Sequence, residues 1–250
     1  MKREKLLAAN WKLNLPAEGI GTYCAAMRGR PSAGFDLAVA PPAPFIEALV
    51  KESKGAGDGF AVASQNSSQH DQGAFTGEVS ARMFAGLGVR YAILGHSERR
   101  TIFGEGDEVI GQKLAKAHDA GLVPIFCIGE SQETRDAGRT IAWLETQVKT
   151  ALSVAARSFP RLVVAYEPIW AIGTGRNAKN PDILEAHQAI AGMLEGLVPA
   201  DCTLSILYGG SVKADNAAEI ASIGEVDGFL VGGASLVSSS FLAIWGAMRG

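Results

Sequence analysis

Three side chains, far apart in the chain, have the types and settings that proton-transfer chemistry requires: Lys12, His96 and Glu167. Glu167 ends the apolar run Leu162-Val163-Val164-Ala165-Tyr166 and precedes Pro168. A carboxylate at the end of such a strand is half-shielded from water. Burial disfavours its charged form and carries its pKa upward, toward the range in which it serves as a base. A glutamate in this setting also serves as a strand-end cap or as a lysine's partner, and only its surroundings separate these readings. His96 stands in Gly95-His96-Ser97-Glu98-Arg99-Arg100, after another apolar run and where a short helix is expected to open. Backbone N–H groups there disfavour an added positive charge and lower the imidazole pKa. A neutral imidazole donates a hydrogen bond to a carbonyl oxygen without first losing a charge. Lys12, in Asn10-Trp11-Lys12, brings a full positive charge to a chain of formal net charge −3. Base, neutral donor and cation together suit removal of a proton beside a carbonyl in an anionic compound. His70, His118 and His187 read as structural histidines.

Glycines supply the second kind of chemistry. Gly209-Gly210-Ser211 and Gly232-Gly233-Ala234-Ser235 each follow an apolar run and lead into an alanine-rich stretch. Backbone N–H groups at a helix start meet anions, so the two pairs read as a phosphate cradle formed after the last two strands. Residues 168–178, Pro-Ile-Trp-Ala-Ile-Gly-Thr-Gly-Arg-Asn-Ala, have neither strand nor helix period yet carry Ile169, Trp170 and Ile172. Such a loop either packs on a neighbouring helix or acts as a lid that buries these groups on closing over a ligand. Gly173 and Gly175 allow close backbone approach, and adjacency to Glu167 favours the lid. No histidine pair or Cys-x-x-Cys marks a metal site, and Cys127 reads as a small core residue.

The elements that must position these groups are short. Apolar, β-branched runs occupy residues 6–9, 36–40, 60–64, 91–94, 122–127, 162–166, 203–207 and 228–231. Strands apolar on both faces are parallel strands, and parallel neighbours need crossovers. Ile110, Leu114 and Ala117 have helical spacing, with Gly121 placed to end that helix in the left-handed region. Stretches 184–195, 214–221 and 234–248 read the same way, with Asp215 and Ser235 near the starts of the last two. Eight strand–helix units predict a closed (β/α)8 barrel, one domain over residues 1–250. An open doubly wound sheet is the alternative, but no Gly-x-Gly-x-x-Gly follows the first run. In a parallel barrel the strand ends share one face, so Asn10, Lys12, Gln65, Asn66, His96, Glu130, Glu167 and Ser211 converge there.

Composition narrows the function. With 23 basic and 26 acidic residues and no basic run, neither nucleic acid nor an acidic membrane is an expected partner. Any bound anion is held by local geometry. No apolar run approaches the ~18 residues that span a bilayer, and no secretory h-region is present. Three scattered cysteines, Cys24, Cys127 and Cys202, suit a reducing compartment, so a cytoplasmic protein is expected.

Taken together, Asn10-Trp11-Lys12, Gly95 to Arg100, Ala165-Tyr166-Glu167-Pro168, Trp170 to Gly175, Tyr208-Gly209-Gly210-Ser211 and Val231-Gly232-Gly233-Ala234 closely resemble the triosephosphate isomerase family. The motifs run in order from near the N-terminus to the eighth strand. The resemblance implies interconversion of dihydroxyacetone phosphate and glyceraldehyde 3-phosphate through an enediolate, without cofactor or metal. By position, it implies Glu167 as base, His96 as the group that polarises the carbonyl and shuttles protons, and Lys12, with Asn10 beside it, as charge stabiliser. Gly173, Ser211, Gly232 and Gly233 would hold the phosphate. It also implies a homodimer through the loop 65–77, where Gly73, Thr76, Gly77 and Glu78 match although the tip, residues 67–71, is polar. The stretch Arg176-Asn177-Ala178 departs from the family's frequent Lys-Thr-Ala after the lid. Another phosphate-binding barrel, such as an epimerase or aldolase, and an inactive scaffold are the rival readings. A Schiff-base aldolase needs an interior lysine, and a scaffold has no use for Lys12, His96 and Glu167 together.

Overall fold

Eight strands close on themselves because the first pairs with both the second and the last. In the computed structural model, which describes residues 1–28, 35–55, 60–172 and 178–249, these are β1 (Lys5–Asn10), β2 (Phe35–Ala40), β3 (Ala61–Ser64), β4 (Tyr91–Leu94), β5 (Val123–Ile128), β6 (Arg161–Tyr166), β7 (Thr203–Tyr208) and β8 (Gly228–Val231). All are parallel to their neighbours, and β8 returns to β1 with Leu6 opposite Gly228 and Ala9 opposite Val231. A two-residue strand, Lys2–Arg3, lies against β7. Closure excludes the open doubly wound sheet. The eight apolar runs match these strands to within one residue at each end.

Helices cover the outside: α1 (Ile20–Met27), α2 (Ile46–Gly55), α3 (Ala81–Leu87), α4 (Ser97–Thr101), α5 (Asp107–Asp119), α6 (Gln132–Asp136), α7 (Thr140–Ala155), α8 (Asn180–Leu194), α9 (Ala217–Ala221) and α10 (Ser238–Ala247). As the spacing predicts, Ile110, Leu114 and Ala117 are fully buried, and Gly121 ends that helix with φ 79°. The last two helices start later than alanine content implies. Asn216, not Asp215, caps the turn before α9, its side chain accepting from the Lys213 N–H at 2.8 Å. Residues Gly233–Leu236 form a 3-10 turn, and α10 begins at Ser238, whose N–H donates to Glu18 at 2.8 Å.

Alternation along each strand builds two cores. Leu6 and Ala8 of β1 join Ile93, Ile125, Val163 and Leu207 inside the barrel, while Leu7 and Ala9 face the helices. Alanines recur in the inner cluster because facing strands leave little room. Below, Asp36 accepts from the Tyr91 hydroxyl at 2.6 Å and from Arg161 at 2.9 Å, tying β2, β4 and β6 together. Among the described residues, no helix is long and apolar enough to cross a membrane.

The closing seam tolerates no side chain at one point. At Gly228, φ is +153° and a Cβ would lie 1.8 Å from the carbonyl oxygen of Leu6. Overpacking of this kind costs about 1–3 kcal/mol or more, so Gly228→Ala is expected to lower the unfolding free energy by at least that amount. Chemical denaturation measures it, and an unchanged midpoint would show that the seam can shift.

Candidate active site

Glu167 sits just past β6 between two stretches of bare backbone. Its N–H donates to the Ile128 carbonyl at 2.8 Å. A Cβ on Gly129 would fall 1.8 Å from the Glu167 carbonyl oxygen, and one on Gly209 would meet Glu167 Cγ at 2.9 Å. The Gly209 N–H bonds the Tyr166 carbonyl at 2.7 Å. Gly209, read from sequence as part of a phosphate cradle, thus also makes room for the carboxylate. Gly210 is crowded too, since its Cβ would strike the Tyr208 hydroxyl at 2.2 Å.

The start of α4 receives two functional side chains. His96 is its N-cap and accepts the Glu98 N–H at Nδ1, 3.2 Å away. The Ser97 N–H, another group that a helix start leaves unpaired, donates to Glu167 Oε2 at 2.8 Å. His96 Nε2 faces Glu167 Oε1 at 3.0 Å, and both side chains are buried. Arg100 braces this turn, donating to the Gly95 carbonyl at 2.8 Å and the Cys127 carbonyl at 2.9 Å.

This contact reverses the pKa directions expected from sequence. Burial pushes the Glu167 carboxyl up, but the facing His96 ring, the Ser97 N–H and Lys12 outweigh it and hold the group below its ordinary range. Burial likewise pushes the His96 imidazole down, and the Glu167 carboxylate, with Glu98, carries it above its ordinary value. The Glu98 N–H opposes that rise, because only an unprotonated Nδ1 can accept it. Both directions therefore belong to the arrangement in which Glu167 rests on His96.

Lys12 adopts φ 52°, which is strained for a residue with a side chain. Both of its backbone groups are tied: its N–H donates to Asn10 Oδ1 at 3.0 Å, and its carbonyl accepts from Gln65 Nε2 at 2.8 Å. Its ammonium pairs with Glu98 Oε1 at 2.7 Å. Gln65 also reaches the Ala40 carbonyl at 2.9 Å, so it braces Lys12 from behind. Nothing in the sequence marks that task.

A cavity of about 260 Å³ opens at this face. Asn10, Lys12, His96, Glu167, Ser211, Gly232 and Gly233 all line it, with Ile172 and Leu230 among its apolar walls. The volume lies just below the ~300–1,000 Å³ common for drug-sized ligands and suits a small metabolite. A Cβ on Gly232 would come within 3.5 Å of Lys12 Cε, so that glycine faces the lysine. Three other strand-end residues do not line the cavity. Gln65 braces Lys12, Asn66 binds Lys113 at 2.9 Å, and fully buried Glu130 accepts from Tyr166 and Trp170. Ser211 lies in a loop, since α9 starts only at Ala217, whereas Gly232 leads directly into the 3-10 turn. Gly173, Gly175, Arg176 and Asn177 lie outside the described residues. Cys127 is buried in the inner cluster, and burial keeps its thiol well above the ordinary pKa, as a core residue requires. Among the described residues, no group of three or more His, Cys, Asp or Glu side chains is arranged to hold a metal ion.

Comparison with known proteins agrees with the motifs. The family model described as triosephosphate isomerase matches residues 5–248. The chain is 46% identical to the triosephosphate isomerase of Xanthomonas campestris pv. campestris (strain 8004), over 97% of each chain. It is 44% identical to that of Stenotrophomonas maltophilia (strain K279a), again over 97% of each. Against that of Bordetella pertussis (strain Tohama I) the identity is 40%, covering 97% of this chain and 96% of the relative. With matching over nearly its whole length, a closed barrel and the motif residues gathered at one cavity, this chain belongs to the triosephosphate isomerase family.

Proposed function

We propose that the chain interconverts dihydroxyacetone phosphate and D-glyceraldehyde 3-phosphate, in glycolysis and gluconeogenesis, through an enediolate. In this reading Glu167 is the base, His96 the hydrogen-bond donor to the carbonyl and the proton shuttle, and Lys12 the cation that steadies developing charge, with Asn10 beside it. Ser211, Gly232, Gly233 and Gly173 hold the phosphate. The observation that carries the reading is the 3.0 Å contact between buried Glu167 and His96 in a cavity whose other walls hold Lys12 and the bare backbone of Gly232 and Gly233.

The contact between Glu167 and His96 explains how substrate takes over these groups. A carbonyl oxygen arriving at His96 Nε2 replaces Glu167 Oε1 as acceptor, so one hydrogen bond is exchanged for another. Glu167 then leaves both Nε2 and the Ser97 N–H and turns toward the carbon beside the carbonyl. It loses the partners that held its pKa down while its burial persists, which strengthens it as a base. His96 loses its counter-charge while the Glu98 N–H stays on Nδ1, which leaves a neutral ring with its proton on Nε2. As negative charge builds on the oxygens, this donor and the Lys12 ammonium stabilise it where water is excluded. His96 Nε2 gives its proton to the former carbonyl oxygen and takes one from the neighbouring hydroxyl, the protonated Glu167 returns its proton to the neighbouring carbon, and the second oxygen becomes the carbonyl as the enediolate double bond is lost. A lid over residues 168–178 completes this reading, since an enediolate phosphate open to water eliminates phosphate.

A homodimer through the loop 65–77 is supported by exposed apolar side chains beside the site. Leu13, next to Lys12, is 93% exposed, Ile102 beyond α4 is 70%, and Phe75 in the loop is 43%. Met83 and Phe103 are exposed as well. The loop is held ready: Asp71 binds Lys116 at 2.6 Å, and the rings of His70 and Phe75 stack 3.7 Å apart. Phe75 supplies apolar area that the polar tip lacks. Cytoplasmic location is supported by three buried, unpaired cysteines.

Three measurements test these assignments. In a coupled assay with glyceraldehyde 3-phosphate and no added metal, the unaltered protein turns over, and Glu167→Gln loses at least the ~10²–10⁴-fold that general-base catalysis contributes. Equal rates would remove Glu167 from its role, and no turnover by the unaltered protein would favour a scaffold. NMR titration of His96 in the same variant should give a lower pKa than in the unaltered protein, because burial remains while the counter-charge is gone. The sign follows for stability. The His96 contribution is complete at low pH and lost as pH rises through its raised pKa. The Glu167 contribution is lost as pH falls through its lowered pKa. The pair therefore stabilises the protein most between the two, and an unchanged His96 pKa in the variant would refute the coupling. Sedimentation at micromolar concentration should find a dimer, and monomer alone would overturn the interface.

A further inference from the structure

Glu167 is seated against a residue that has no side chain of its own to hold it in place. Gly129 follows β5 and, one step beyond the paired Ile128 and Tyr166, stands opposite Glu167. The Glu167 N–H bonds the Ile128 carbonyl at 2.8 Å, and the Ile169 N–H bonds that of Glu130 at 3.2 Å, so the ladder passes on both sides of Gly129. Backbone meets backbone here, since a Cβ on Gly129 would overlap the Glu167 carbonyl oxygen and crowd its Cα. Any shift of the Gly129 peptide is therefore passed to the main chain that carries the base. Glycine is the residue least able to resist such a shift, because no Cβ restricts its dihedral angles.

Both backbone groups of Gly129 are taken by side chains of one helix. Gln147 of α7 accepts the Gly129 N–H at Oε1, 2.9 Å away, and Trp143 donates its indole N–H to the Gly129 carbonyl at 3.1 Å. The two residues are four apart in sequence, so they lie one turn apart on the same face. Gln147 is buried, whereas Trp143 is 47% exposed. A buried glutamine costs stability unless its polar atoms find partners, and a half-exposed indole leaves apolar area in water. What distinguishes these two side chains is that one supplies an acceptor and the other a donor, each matched to the group it meets. The helix is itself fixed: Leu144, Val148 and Ala151 are fully buried, and a Cβ on Gly111 of α5 would lie 2.5 Å from the Ala151 carbonyl oxygen. Thus α7 reaches the rim from a firm base.

We propose, on the isomerase reading above, that Trp143 and Gln147 are positioning residues for the base. Together they lock the Gly129 peptide and, through its contact with the Glu167 main chain, the distance from the carboxylate to the carbon it deprotonates. Neither side chain lines the cavity or touches a reacting atom. Their effect falls on proton removal and return, which depend steeply on that distance: a misplacement of about 1 Å costs up to roughly a hundredfold. In the same reading the phosphate sits elsewhere on the rim, against Ser211, Gly232 and Gly233, so substrate binding is little altered.

Steady-state kinetics on Trp143→Phe and Gln147→Met, each alone and in the Glu167→Gln background, test this. Phenylalanine keeps a ring without the N–H, and its site is half-exposed, so the fold is kept. Methionine keeps the length of glutamine without the acceptor. With glyceraldehyde 3-phosphate each single variant should lose about tenfold in kcat, with KM within about twofold of the unaltered value. In the Glu167→Gln background the same substitutions should cost less than about twofold, because there is no longer a base to misplace. Partial unfolding, or damage elsewhere in the cavity, removes the same factor in both backgrounds. Full kcat in either single variant overturns the proposal, as does an equal loss in both backgrounds. No isomerisation by the unaltered protein strikes the function itself, and equal rates for it and Glu167→Gln strike the base. Normal isomerisation, with a large loss in Glu167→Gln and none in these variants, strikes only the part assigned to Trp143 and Gln147.

Discussion

Parallel strands that close on themselves leave no edge, and their C-terminal ends have nowhere to go but one common rim. Here closure depends on the hydrogen-bonded seam between β1 and β8, where Leu6 and Gly228 approach so closely that glycine is required. Because each strand is in register with the next, Asn10, Glu167 and Tyr208 arrive on the same rim although whole strand–helix units separate them in sequence. The loops that follow then carry short side chains over short distances. A change at the seam shifts the rim, and with it every distance in the cavity.

On this rim the main work is done by unpaired backbone groups. The start of α4 offers one N–H to His96 and another to Glu167, which sets the ring's tautomer and parks the carboxylate in one geometry. The strained backbone of Lys12 is held by Asn10 and Gln65, so its ammonium projects from a fixed base. Bare glycine backbone at 129 and 209 gives Glu167 the space that any side chain would take. Charge is thus controlled by local dipoles and close packing in a chain whose net charge is −3 and could not attract an anion by itself.

Much of this was legible in the amino-acid order. Strands buried on both faces leave unbroken apolar runs, and the residues placed after them, Lys12, His96, Glu167, Ser211 and Gly232, do line one cavity. Side-chain partnership was not legible, because it depends on distances that the order of residues does not encode. Gln65, Asn66 and Glu130 follow strands as Glu167 does, yet they brace a backbone, a buried lysine and an indole. The pKa directions of Glu167 and His96 reverse for the same reason: the strand-end burial of one and the helix-start setting of the other are legible in the residue order, but their mutual contact is not. The helix starts at Ala217 and Ser238 lie later than alanine content implies because polar caps fix them, a local one from Asn216 and a distant one from Glu18 to Ser238.

The central claim is that Glu167 leaves His96 and the Ser97 N–H to work on a substrate carbon held in this cavity. A crystal structure with a phosphorylated mimic of the enediolate tests it directly. The account requires the mimic's oxygens at His96 Nε2 and Lys12, its phosphate against Ser211, Gly232 and Gly233, and the Glu167 carboxylate turned onto the carbon. A ligand bound elsewhere, or a Glu167 still docked on His96 beside a bound mimic, would contradict it.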